Sequence, residues 1–257
     1  MKNLLQKASG KYVLNSMIIY VVILAALFCT SKGLNTTDIA LLFRMGIPVA
    51  ILTYAVQTGV EKNIFSRVYI PHLFVGFSWI ISGPVLFYIA HHDAMRSIYN
   101  GHDIFFGIYL SLLLIAMQNI ALSILRKPRV AMGVSLFAIV MLTVPVLQSV
   151  YFMAAGTTIS NEAMAVIQHT NVLEIVLYGQ SVNGMLILVS LFLFICCLAA
   201  AFRYSDKKVM EKAIWGEKPS GKRIILIAIT VILLVYMFYG LIWHTEFFAR
   251  WIQLAGK

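Results

Sequence analysis

Side chains able to do chemistry gather in two short stretches. The first runs Ala163-Met-Ala-Val-Ile-Gln-His-Thr-Asn-Val-Leu-Glu174, and within it Thr170 and Glu174 are four residues apart. On a helix that spacing is one turn and one face. A hydroxyl and a carboxylate so placed can hold a polar headgroup, the carboxylate pairing with an ammonium through a charge-assisted hydrogen bond. The plainer alternative is a polar helix face turned to water. The second stretch places His91, His92, Asp93, His102 and Asp103 within 13 positions. Imidazole and carboxylate are zinc ligands, but a loop of this composition is more often a solvated interfacial turn, and it is read as one. No Cys-x-x-Cys, His-Glu-x-x-His or Ser-His-Asp signature accompanies either stretch. Neither a catalytic residue nor a metal site is therefore assigned to this chain.

The elements that position these residues are set by composition. The chain has 257 residues, 61% of them hydrophobic and 12% charged, and a mean hydropathy of +0.88. An average soluble domain carries roughly 25% charged residues. A helix needs about 20 consecutive apolar residues to cross a bilayer, and runs of that order occur at Leu14 to Thr30, Asp38 to Val60, Tyr69 to Ala90, Ile104 to Leu125, Val130 to Ala155, Ser181 to Ala201 and Ile224 to Trp243. The expected fold is all-α: a single polytopic membrane bundle over residues 1–257, with about seven transmembrane helices. The first run ends Leu-Phe-Cys-Thr-Ser-Lys rather than in a small-residue cleavage site, so it reads as an uncleaved span. Between the fifth and sixth spans, Ala163, Val166, Ile167, Thr170 and Glu174 fall on or near one side at helical spacing, which predicts an interfacial helix over about 160–178.

The net charge of +10 could indicate a nucleic-acid partner, but the basic residues form short clusters between apolar runs rather than one patch. Their distribution belongs to topology. With seven spans, fifteen Lys and Arg fall on the side of the N-terminus and five on the other. The positive-inside rule then predicts a cytoplasmic N-terminus and an outward C-terminus. Within the spans Arg44 is the ionisable exception, and this scarcity argues against an ion-coupled transporter. Pro48, Pro71, Pro84 and Pro145 lie in or near spans and are expected to kink them. Cys29, Cys196 and Cys197 read as small hydrophobes. The aromatic stripe Trp243, Phe247, Phe248, Trp251 and Ile252 predicts a chain end lying along the outer headgroup layer.

The segment around Thr170 resembles one in the membrane part of bacterial phosphoethanolamine transferases and lipoteichoic-acid-synthase-like proteins of the alkaline phosphatase, sulfatase-like superfamily. There a Gln-Thr-Asn-x-x-Glu-like helix follows a transmembrane helix and faces the periplasm. Gln168, Thr170, Asn171 and Glu174 are the matching residues. His169 separates Gln168 from Thr170, and Val166 stands where the family pattern often has Asn. The resemblance implies an inner-membrane domain that binds a phospholipid headgroup, such as that of phosphatidylethanolamine, through these four residues. It also implies a transferase acting on a lipid or envelope glycan. In that family a Thr nucleophile and zinc or another divalent metal reside in a soluble periplasmic domain, which these 257 residues do not include. Two other classes stay open: a non-catalytic assembly or lipid-presenting subunit, and a small-molecule transporter.

Overall fold

The computed structural model describes residues 2–30, 36–60, 63–80, 102–155, 182–214 and 219–242. Among these the chain is helical throughout, without strands. Helix α1 spans Lys2–Thr30. Helix α2 (Thr36–Leu41) passes through a π-helical stretch, Leu42–Gly46, into α3 (Ile47–Val60). A 3-10 turn, Arg67–Tyr69, leads into α4 (Ile70–Ile80). Helix α5 (His102–Asn119) also ends in a π-helical stretch, Ile120–Leu125, followed by α6 (Pro128–Ala155), α7 (Val182–Tyr204), the short α8 (Lys207–Ala213) and α9 (Gly221–Ile242).

Five of the described helical stretches are long and apolar enough to cross a bilayer: Gly10–Phe28, Thr36–Gly59, Ile104–Leu125, Pro128–Val146 and Gly221–Ile242. The protein is thus a helical membrane protein. The expected spans Ile104 to Leu125 and Val130 to Ala155 coincide closely with α5 plus its π-helical end and with α6. Residues 81–101, 156–181 and 243–257 lie outside the description, and with them the second half of the expected third span, the interfacial helix and the aromatic C-terminal stripe.

Burial ranks the helices. In Ile104–Leu125 most residues are buried, whereas in Gly221–Ile242 only Ile227, Thr230, Leu234 and Leu241 are. Helix α5 is accordingly the axis of the bundle, packed by α4, α9, α3 and α6, while α9 presents most of its surface outward. The α4–α5 interface is the most extensive, and its closeness has a sequence cause. A Cβ on Gly107 would stand 2.3 Å from the Cβ of Trp79, and one on Gly76 would stand 3.3 Å from the Cβ of Ser111. In lipid, where no hydrophobic force drives helices together, small residues that let backbones approach supply the dispersion contact that does. Trp79 then packs tilted against Phe106 at 4.6 Å between centroids, and Phe106 against Phe238 at 4.8 Å, tying α4, α5 and α9 together.

Pro71 occupies the first turn of α4, directly after the 3-10 turn, where proline's fixed φ suits the start of a helix. Pro145 does lie inside a helix, α6. Pro48 directly follows the π-helical stretch Leu42–Gly46, a wider turn that accommodates a missing i→i−4 bond. Arg44 is also not alone among ionisable groups in the spans: Asp38 is buried in the first turn of α2 and His72 is wholly buried in α4.

Candidate functional site

The polar side chains of the bundle concentrate at one end, where the ends of successive helices meet. Asn15 on α1 donates from Nδ2 to Gln57 Oε1 on α3 at 2.6 Å and to Asn63 Oδ1 in the following loop at 2.9 Å. Asn63 Oδ1 also accepts the Phe65 backbone N–H at 3.0 Å. Gln57 Nε2 donates to the Thr53 carbonyl at 3.2 Å and the Tyr12 carbonyl at 3.4 Å. Farther along the same end, the Tyr69 hydroxyl bonds Asn119 Oδ1, joining the start of α4 to the end of α5. Gln118 Nε2 reaches the Met210 sulfur on α8 at 3.1 Å and Ser135 Oγ on α6 at 3.4 Å. Amides inside apolar helices must find partners because lipid offers none, and here each finds one on a neighbouring element.

The same end carries the cations: Lys11 and Arg67, then Arg126, Lys127 and Arg129 between α5 and α6, Arg203 to Lys212 around α8, and Lys222 and Arg223 at the start of α9. Helix α8 is amphipathic. Met210 and Ala213 are buried, while Lys207 and Glu211 face outward and pair at 3.4 Å. We refer to this as the basic end.

His72 is the unusual member of the set. Its ring is fully buried, packed edge-on against Tyr69 at 6.4 Å between centroids. Neither ring nitrogen makes a hydrogen bond among the described residues. The Tyr69 carbonyl, one turn earlier, is near the ring but outside bonding geometry. The His72 backbone carbonyl accepts Ser111 Oγ at 2.6 Å. Gln118 Oε1 and Ser123 Oγ are likewise buried without a partner.

Beside this polar end lies an apolar groove of about 310 Å³ between α1, the 64–65 turn, α4 and α5. Ile18 and Val22 form one wall, Phe65, Leu73 and Phe77 the other, and Ile108 lies at the α5 side. Ser111 contributes the polar atom, but its hydroxyl is committed to the His72 carbonyl. What the groove offers a ligand is hydrocarbon, and its volume is at the lower end of small-molecule sites, roughly 300–1,000 Å³.

The residues singled out in the sequence fall mostly elsewhere. Gln168, Thr170, Asn171 and Glu174 lie outside the described residues, as do His91, His92 and Asp93. His102 and Asp103 begin α5, with His102 half-buried. Among the described residues no three His, Cys, Asp or Glu side chains come together as a metal site, so the zinc chemistry of the resembled family is not assigned to them. What the described helices do fix is where the chain enters and leaves the 156–181 segment. Helix α6 starts at the basic end and its 28 residues carry the chain about 42 Å from it. Helix α7 returns toward α8 at the basic end. Sequence reasoning missed the Asn15–Gln57–Asn63 cluster and His72. The signal was present, since an amide or imidazole inside an apolar run needs a specific partner. No family model matches the chain, and no curated protein or solved structure matches it either.

Proposed function

We propose that these residues are the membrane domain of a phosphoethanolamine- or glycerophosphate-type transferase acting on a lipid or envelope glycan, and that it binds a phospholipid headgroup on the face away from the basic end. The observation that carries this reading is the pattern Gln168, Thr170, Asn171 and Glu174 in the connection between α6 and α7, two apolar helices whose joined ends are remote from the basic end. Glu174 supplies the anion for an ethanolamine ammonium, and Thr170, one turn before it, the hydroxyl for the phosphate. In this reading the nucleophile and the divalent metal belong to a soluble periplasmic domain, with this domain holding the lipid for it in the inner membrane.

The test is retention of phosphatidylethanolamine over phosphatidylcholine by the purified chain in nanodiscs. A charge-assisted hydrogen bond contributes about 1.5–3 kcal/mol, so Glu174→Gln is expected to weaken that preference by roughly tenfold or more with the helical content unchanged. Equal retention by the two proteins would remove the headgroup site. Headgroup transfer by these 257 residues alone would overturn the division of labour.

A second reading, a lipid-presenting or assembly subunit without transferase chemistry, is favoured by the groove between α1 and α4, which offers hydrocarbon and no free polar group. The transporter reading gains one point, because His72 is a buried base within a span, and such residues mark transport pathways by default. It is not among the residues lining the groove, which gives it no described route.

A further inference from the structure

The groove between α1 and α4 is lined on α1 by Ile18 and Val22 and before α4 by Phe65, and the same two segments carry Lys11 and Arg67, exposed cations toward the basic end. We propose that it is a binding site for an anionic phospholipid of the leaflet at the basic end, with an acyl chain in the groove and the phosphate on Lys11 and Arg67. This site is distinct from the headgroup site proposed above and does not depend on it.

Three observations carry the inference. The first is depth. Lys11, Ile18 and Val22 are spaced seven and four residues apart on one stripe of α1, and Ile18 and Val22 line the groove. At 1.5 Å per residue the stripe is about 16 Å long, close to half the roughly 30 Å hydrocarbon thickness of a bilayer. The distance along α1 from Lys11 to the far lining residue Val22 therefore matches the reach of a single leaflet. The second is the wall chemistry. Ile18, Val22, Phe65 and Phe77 line it and are each a little under half exposed, and the Ser111 hydroxyl is already bonded. A polar solute gains nothing there, whereas a hydrocarbon chain fills it without desolvation cost.

The third is charge placement. Asn15 is hydrogen-bonded to Asn63 at 2.9 Å, which fixes α1 to the turn that leads through Phe65 to Arg67. Lys11 lies one turn from Asn15, and Arg67 two residues from the groove-lining Phe65, so the backbone brings both cations to the same side of the groove. Both are exposed, and neither pairs with another described residue. A phosphate beside them would meet complementary charge, since exposed cations near a bilayer surface attract anionic lipid.

Native mass spectrometry of the full chain, released from nanodiscs of mixed phosphatidylglycerol and phosphatidylethanolamine, reads the site directly. Wild type should retain one phosphatidylglycerol in preference to phosphatidylethanolamine. Lys11→Gln/Arg67→Gln, which changes exposed side chains only, should reduce that preference by roughly tenfold. Val22→Trp, which fills the groove from a lipid-facing position, should lose the bound lipid of either type, and Val22→Phe is the milder version if the first does not fold. Glu174→Gln should leave phosphatidylglycerol retention unchanged, which separates this site from the headgroup site. An unchanged preference in the double Gln variant would show a groove indifferent to headgroup and overturn the proposal. So would unchanged lipid retention in the groove-filled variants.

Discussion

The Asn15 amide shows how one residue can organise a membrane bundle. It sits in an apolar run, is buried, and satisfies its donors on Gln57 and Asn63, which come from the next span and the loop after it. In water such a group would exchange partners at little cost, but in lipid the exchange is with nothing. Asn15→Leu leaves Gln57 Oε1 without its donor, while Asn63 Oδ1 keeps the Phe65 N–H, and an unsatisfied buried polar atom costs about 1–3 kcal/mol. Measured interhelical bonds in membranes average nearer ~0.6 kcal/mol because the unfolded chain also finds partners, so the expected loss is about 1–2 kcal/mol in a detergent-denaturation titration. Gln57→Leu alone should cost a similar amount, and the double variant less than the two together; strict additivity would mean the two amides act independently. At this scale the sequence was only partly legible. The i, i+4 pair Thr170 and Glu174 could be read because its logic is local. The Asn15–Gln57 and Tyr69–Asn119 pairs could not, since their partners are 42 and 50 residues apart and become neighbours only when spans are paired.

Among elements, apolar length made the helices legible and close approach made their pairing opaque. The expected boundaries of α6 and of α5 with its π-helical end fall within two residues of those observed, because a run of uncharged residues ends where the chain leaves lipid. Helix α1 begins at Lys2, well before the apolar run at Leu14, since Lys side chains do not stop a helix, only a span. Helix α8 went unread because its apolar residues, Val209, Met210 and Ala213, cover barely one turn and a half. Glycines were the least legible of all: identical in sequence, they differ in what surrounds them. Gly107 faces the Trp79 side chain, while Gly133 on α6 has nothing within 4 Å of where its Cβ would lie. Gly107→Ala must force α4 and α5 apart or shift Trp79, and overpacking of this kind costs about 1–3 kcal/mol. Gly133→Ala meets open space and should be neutral or stabilising by up to about 1 kcal/mol through helix propensity. Thermal denaturation in one detergent compares the two, and equal melting temperatures would show that the α4–α5 contact does not depend on small residues.

The whole molecule is defined by the sorting of its charges. Helices alternate in direction through the bundle, and the described cations of the loops collect where α1, α4, α6 and α9 begin and α3, α5 and α7 end. Lys and Arg resist translocation, so the end that holds thirteen of the fourteen Lys and Arg among the described residues is proposed to remain in the cytoplasm. The proposal of seven spans follows from the same alternation: the five long apolar stretches leave α4 and α7 to complete the crossings, and both connect helix ends that otherwise lie on opposite sides. An even number of crossings would place the two chain termini on one side and strand the basic segment around α8 on the other. Single-cysteine variants in a background of Cys29, Cys196 and Cys197 replaced by Ser distinguish these arrangements with a membrane-impermeant maleimide on intact cells. Cysteines at His92, Ser160 and Gln253 should be labelled without permeabilisation, and those at Lys127 and Lys212 only after it. Labelling of the Lys212 position in intact cells would break the seven-span order and, with it, the assignment of Thr170 and Glu174 to the outer face. Protection at Ser160 combined with protection at Lys127 would instead mean that α6 does not cross, despite a stretch of mean hydropathy 2.0 over Pro128–Val146. Because α8 docks on α6 and on Gln118 through Met210, the Lys212 and Lys127 positions must share a side, so a split between them would contradict the packing itself rather than only its orientation.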